Sequence, residues 1–471
     1  MPIIGAVADD LTGATTVGVL LSKAGAKTAA FFNEVAAMEC ENVNEYTGVI
    51  VSSNSRPLPS DEAYEKVSKA TKALKKMGIK QFSKRIDTTL RGGIGVEIDA
   101  MLDEIGEDYV AIVVPSMPKS NRVLVGGFSV INGVALTKTP AANDVRTPVR
   151  ENYIPRLLQE QSKRKVGFVG LDYVLGGKES VKLSLIYSKD KGNRVIVVDA
   201  IDDEDVDIIA SAVVELGWNI LAVDPRPFTE RLAYHNGYMS NKVGENVKSK
   251  DDNDYIEEKT VLIAAGSATP VTKKQMEVLC SDERNVRIHI NPKSLINGGV
   301  EAELEVEKAV DKVVELVSKK NQPRAILLET ALSGGLLNLD KEDEIHGYEH
   351  GSCAERINSS LGYIIWSSLD KLGRDKFAGL YMTGGDTMVS VCRQLGVECI
   401  ELIDYVIPQA DVGKLVGSKY NKMPVIGKGG LTGSENTAVD IENRLFKESK
   451  KESKVYKDEK EDNCFKLENA H

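Results

Sequence analysis

The stretch Ile3-Ile4-Gly5-Ala6-Val7-Ala8-Asp9-Asp10-Leu11-Thr12-Gly13 decides the fold. Its first six residues form an apolar run with the length of a buried strand. Asp9-Asp10 ends the run, and Thr12 suits the N-cap of a helix reaching Ala24, with Gly25 as its stop. The same pattern continues downstream. Lys27–Phe32 and Val49–Val51 read as strands, and the latter runs into the polar loop Ser52–Pro57. A helix from Ser60 to Gly78 follows, then strands at Gln81–Ile86 and Tyr109–Val114. Later strands are expected at Val166–Val169, Arg194–Val198 and Ile220–Val223. Strands alternating with helices at this spacing predict parallel βαβ units. Arg122–Thr139 breaks the rhythm with β-rich, glycine-punctuated sequence, read as a hairpin or flap over the sheet edge.

A second rhythm begins after residues 236–259, where Lys, Asp, Glu and Asn dominate and a polar linker is expected. Its strands are read at Val261–Ala265, Val286–Ile290, Ala325–Leu328, Phe377–Met382 and Cys399–Leu402. Helices are expected between them, the longest at roughly Cys353–Leu372. Residues 447–471 carry seven Lys and seven acidic side chains and read as a solvated, disordered tail. The expected architecture is therefore α/β: two α/β domains with mainly parallel sheets, 1–235 and 260–446.

The 471 residues, 42% apolar and 28% charged, are those of a globular protein with ample core. A formal net charge of −10 disfavours a nucleic-acid binder that works through a basic surface. The six cysteines form no CxxC pair, which argues against a structural zinc site and fits reduced thiols in the cytoplasm. No apolar run approaches the ~18–20 residues of a membrane helix.

In open parallel sheets, ligands sit beyond the carboxyl ends of strands. In the first half those ends carry Asp9-Asp10, Ser52–Arg56 and Lys84-Arg85-Ile86-Asp87-Thr88-Thr89-Leu90-Arg91-Gly92-Gly93. Arginines that grip carboxylates and aspartates that accept hydroxyl protons suit a small, hydroxylated, anionic ligand. Helix capping would account for one of the two aspartates, and a surface ion pair for Arg91. In the second half, Ala265–Thr269, Met382–Thr387 and Gly427–Gly433 are rich in glycine and hydroxyls. Glycine amides at a helix N-terminus, with Lys428 nearby, read as a polyphosphate cradle. Each loop alone could be a tight turn.

Some familiar signatures are missing. No GxGxxG follows the first strand, which weighs against a dinucleotide-binding oxidoreductase. Gly170–Glu179 approaches a Walker A loop but has Glu179 where a hydroxyl should hold magnesium. A non-catalytic sugar-acid binding or regulatory protein is the other alternative, and the coexistence of an acid pocket with a phosphate cradle argues against it.

Four motifs, in order, resemble the four-carbon acid sugar kinase family: Ala8–Ala14, Lys84–Gly92, Gly384-Gly385-Asp386-Thr387 and Lys428-Gly429-Gly430. The likeness runs from Ile3 to about Leu445. It implies an ATP-dependent kinase of threonate, erythronate or a 3-oxo-tetronate, with a sugar-acid domain, an ATP domain and an active site in the cleft between them. Asp9, Asp10, Arg56, Lys84, Arg85, Asp87, Thr88 and Arg91 would line the acid site. Ser267, Gly384, Gly385, Asp386, Thr387, Lys428, Gly429 and Gly430 would hold ATP. Asp10 is the expected base, with Asp9 and Asp386 as competitors, and Asp386 could instead orient Mg²⁺. Arg91 and Lys84 would clamp the substrate carboxylate. The metal ligands stay unassigned, the expected location is cytoplasmic, and a homo-oligomer is compatible with the sequence. Asn121 precedes Arg122 where the family carries Gly-Arg, which leaves the particular acid open.

Overall fold

The structure, a computed structural model, describes residues 1–144, 146–239, 258–266, 269–333, 337–430 and 432–468, with side chains of the final helix followed to residue 452. The chain divides into two compact units, Met1–Glu245 and Asn246–His471.

In the first unit the opening sequence forms strand β1 (Ile4–Ala8), followed by β2 (Thr28–Phe31), β3 (Gly48–Ser52), β4 (Gln81–Arg85) and β5 (Val110–Val113). All five are buried along their whole length, as expected of parallel strands covered on both faces. The interruption after β5 is a small antiparallel sheet, β6 (Arg122–Val125), β7 (Phe128–Ile131) and β8 (Val134–Ala135), which makes it the expected hairpin. Strands β9 (Val166–Val169), β10 (Val195–Val198) and β11 (Ile220–Asp224) complete a parallel sheet in the order β2-β3-β1-β4-β11-β5-β10-β9.

Helices fill the crossovers. Ser60–Lys76 buries Ala63, Val67, Ala70, Thr71 and Leu74, the 3–4 residue spacing of one helical face. Its first turn carries Asp61 and Glu62 and its last Lys75 and Lys76, complementing the helix dipole. Each buried Val, Ile or Leu contributes about 1.5–3 kcal/mol, and many of these residues sit in a cluster around Ile112, Ile196, Val198 and Phe228. From β1 the chain passes to one side for β2 and β3 and to the other for β4. The switch point, where an open sheet leaves a crevice, therefore lies at the carboxyl end of β1.

The second unit contains β12 (Thr260–Ala265), β13 (Asn285–His289), β14 (Ala325–Glu329), β15 (Phe377–Thr383), β16 (Cys399–Ile407), β17 (Ala410–Val416) and β18 (Pro424–Lys428). The order β13-β14-β12-β15-β18 is parallel, and β17 and β16 extend it antiparallel. Its switch point lies between β12 and β15.

The helix expected at Cys353–Leu372 is present as Ser352–Leu372 and is the longest between the strands of this unit among the described residues. One sequence expectation is corrected here: the segment read as a tail is helical through Glu468, as the end of the helix Thr437–Glu468. Lys and Glu are strong helix formers, and Arg444 and Lys451 both pair with Glu448, at 2.8 Å each. The helix is also anchored, since Phe446, Glu448 and Ser449 are buried. The polar stretch read as a linker falls largely at 240–257, outside the described residues.

Candidate active site

Register brings the first set of loops together. Ala8 pairs with Ser52 on one side and Arg85 on the other, and Arg85 pairs with Asp224. Four strands therefore end level, and the residues that follow share one rim. Ser53 ties two of these loops by donating its amide N–H (2.8 Å) and its hydroxyl (2.9 Å) to the Ala8 carbonyl.

Asp9 and Asp10 have different surroundings. Asp9 is buried, and it accepts from Arg56 Nε at 2.7 Å, Arg56 Nη2 at 3.0 Å and Arg85 Nη1 at 3.0 Å. Burial would raise its carboxyl, but Arg56, Arg85 and Lys84 outweigh that and hold its pKa at about 2. Asp10, rather than Thr12, caps the helix Leu11–Lys23 by accepting the Gly13 N–H at 2.6 Å. Its second oxygen pairs with Arg56 Nη1 at 2.7 Å, and its side chain remains 29% exposed. Asp10 is thus the open carboxylate of the pair.

Asp87 is buried and gripped by Arg91, through Nε at 2.7 Å and Nη2 at 3.3 Å, and by the Thr89 hydroxyl. Burial again opposes its ionisation, yet Arg56 and Arg91 hold it well below the usual carboxylate range. Arg91 is also committed to Asp144, at 3.0 Å. Thr88 is half-buried beside this network.

Lys84, expected to clamp a substrate carboxylate, is turned inward. It is fully buried, its Nζ lies 2.7 Å from Glu97 Oε2, and it donates to the Arg85 carbonyl at 2.8 Å. Side chains alternate along a strand, so Arg85 faces the rim network while its neighbour Lys84 enters the opposite layer. Glu97 and Asp144 were missed by sequence reading. Asp144 lies 53 residues from Arg91, and no local pattern announces the pairing.

In the second unit, Ala265 pairs with Thr383, and Thr383 with Lys428, so the three glycine-rich loops begin level. Gly384 (φ +105°) turns the chain from β15 into the helix Gly385–Gln394. Thr387 is buried in its first turn and donates to Asn358 Oδ1 at 2.8 Å. Asp386 is exposed and makes no hydrogen bond or ion pair among the described residues. Ser267 lies outside the described residues.

The Gly429–Thr432 loop is held by its carbonyls. Thr269 Oγ1 donates to Gly430 O at 2.5 Å, and Gln275 Nε2 to Thr432 O and Ser434 O at 2.9 Å each. Lys428 Nζ donates to Gly429 O at 2.7 Å and Thr432 O at 3.2 Å, and burial lowers its pKa to about 8. Carbonyl oxygens that would repel a phosphate thus face the protein's own donors. Gln275, Gln409 and Asn358, which shape this region, carried no sequence signal.

The open carboxylate of the first unit suits a hydroxylated ligand, and the glycine loops of the second suit a phosphate chain. An exposed, unpaired carboxylate at Asp386 has the hard oxygen chemistry that Mg²⁺ prefers. A model described as a sugar-binding N-terminal domain matches residues 4–232, and a nucleotide-binding C-terminal domain matches 262–438. The chain is 35% identical to a D-erythronate kinase of Heliobacterium modesticaldum, over 92% of this chain and 94% of that protein. It is 28% identical to a D-threonate kinase of Salmonella typhimurium (92% and 96%) and 24% identical to a 3-oxo-tetronate kinase of Burkholderia multivorans (85% and 88%). A solved Haemophilus influenzae structure shares the fold, with a TM-score of 0.67 at 22% identity, over 95% of this chain and 99% of that one. Among the described residues, no helix is long and apolar enough to cross a membrane.

Proposed function

The chain belongs to the four-carbon acid sugar kinase family, and from that premise we propose that it transfers the γ-phosphoryl group of ATP to a hydroxyl of a four-carbon sugar acid, D-erythronate first among them. The observation that carries this reading is the presence in one chain of two unlike rims: a carboxylate–arginine cluster with one open aspartate, and a glycine loop whose carbonyls are turned away. Neither the oxidoreductase nor the non-catalytic alternative accounts for both.

Phosphoryl transfer depends mainly on positioning and charge stabilisation. Asp10 accepts the hydrogen bond of the reacting hydroxyl and takes its proton as that oxygen bonds phosphorus and the bond to ADP breaks. Its exposure favours it over Asp9, whose oxygens are filled by Arg56 and Arg85. Arg56 and Arg85 fix Asp10's orientation. Gly384, Gly385, Thr387, Gly429 and Gly430 hold the phosphates, with Lys428 bracing the last loop. Asp386 would hold Mg²⁺, directly or through water. Bound there, the ion would neutralise charge on the β- and γ-phosphates. ATP as donor and five free cysteines among the described residues fit a cytoplasmic reaction.

A coupled ADP-release screen tests this reading. D-erythronate, D- and L-threonate and their 3-oxo forms are supplied with ATP and Mg²⁺. ADP should form only when an acid is present, and acid-independent ADP release would remove the proposal.

A further inference from the structure

The cations named for the first rim are already taken. Arg56 meets Asp9 and Asp10, Arg85 meets Asp9, Arg91 meets Asp87 and Asp144, and Lys84 meets Glu97. Four cations thus face five carboxylates, a balance that repels an anionic substrate.

Arg122 is different. It opens β6, just after the chain leaves β5 at the level where β4 and β11 end. It makes no ion pair among the described residues, and the one hydrogen bond of its side chain runs from Nη1 to Ser120 O at 2.9 Å. Its Nε is buried with no hydrogen-bond partner. Burial lowers its pKa, and Asp87's charge works against that, so this guanidinium lies within electrostatic reach of the rim. The Nε–Nη2 edge of an arginine matches a carboxylate with two parallel hydrogen bonds. An edge left unmatched in partly buried surroundings is costly, and a bound carboxylate would relieve it.

We propose that Arg122 receives the carboxylate of the sugar acid and sets the preference for the acid over the neutral four-carbon polyol. This rests on the kinase reading and names the specificity residue within it. Arg122, not Arg91 or Lys84, then clamps the acid, and Asp10 addresses a hydroxyl of the same molecule.

The test is steady-state kinetics of Arg122→Ala and Arg122→Lys with D-erythronate and with erythritol. Arg122→Ala should raise KM for D-erythronate about 10- to 100-fold, leave KM for ATP unchanged and reduce the preference for acid over erythritol by a similar factor. Arg122→Lys, which keeps the charge but loses the paired donors, should fall between. If Arg122→Ala fails to fold, a wild-type acid KM in Arg122→Lys overturns the proposal and an intermediate one supports it. An acid KM within about twofold of wild type in a folded Arg122→Ala overturns it while leaving the kinase reading intact. A wild-type enzyme that turns over no four-carbon acid removes both.

Discussion

Gly13 and Arg85 occupy adjoining space: a methyl group on Gly13 would lie 2.7 Å from Nε of Arg85 and closer still to Nη1. The glycine in the first turn of the helix Leu11–Lys23 is therefore required by the guanidinium that holds Asp9. Gly13→Ala should displace Arg85, cost about 1–3 kcal/mol in urea unfolding and raise KM for the acid, with KM for ATP unchanged.

Asp10 both caps a helix and offers the open carboxylate, and these roles can be separated. Asparagine is as good a cap as aspartate but cannot take a proton. Asp10→Asn should lower kcat by about 10²-fold or more while shifting unfolding by less than about 1 kcal/mol. Rapid-quench and urea experiments read the two effects. A kcat near wild type would move the base elsewhere, with Asp386 next.

Asp9 gives the fold an acid limit. Its pKa lies at about 2 in the folded chain against 3.8 ordinarily, so the unfolded chain binds more protons between those values. Its contribution, about 2 kcal/mol, is complete above pH ~4 and lost as pH falls through 2. Asp224 acts oppositely. Burial raises its carboxyl to about 6, so it favours the fold as pH drops from 6 towards 4 and is constant below. The stability gap between wild type and Asp9→Asn should therefore narrow by about 2 kcal/mol from pH 4 to pH 2. A constant gap would contradict the pairing with Arg56 and Arg85.

Gln275 grips the second rim from behind, through Thr432 O and Ser434 O. Gln275→Ala should raise KM for ATP by about 3- to 10-fold and leave KM for the acid within about twofold. Equal rises in both would mean a general loss of structure.

The βα rhythm of the first unit was legible because strands such as β1, β5 and β10 are short apolar runs and helix stops carry glycine, as at Gly25 and Gly78, both with positive φ. The antiparallel pair β17 and β18 was missed. Gly413 and Lys414 dilute the strand pattern of β17, and Gly413 is needed because a Cβ there would lie 2.7 Å from Glu401 O. In the site, residue types at strand ends were readable from sequence, but their partners were not. Nothing local distinguishes Arg85, which faces the rim, from Lys84, which meets Glu97 inside. Arg122 was quoted only as a departure from a motif, because its unmatched edge is visible only once the other cations are paired.

The most direct measurement is phosphorus NMR of the chain with ATP, Mg²⁺ and D-erythronate. One phosphomonoester resonance growing in equal amount to ADP, and absent without the acid, is the predicted result. Inorganic phosphate as the sole product beside ADP, or no turnover with any four-carbon acid, would contradict the account.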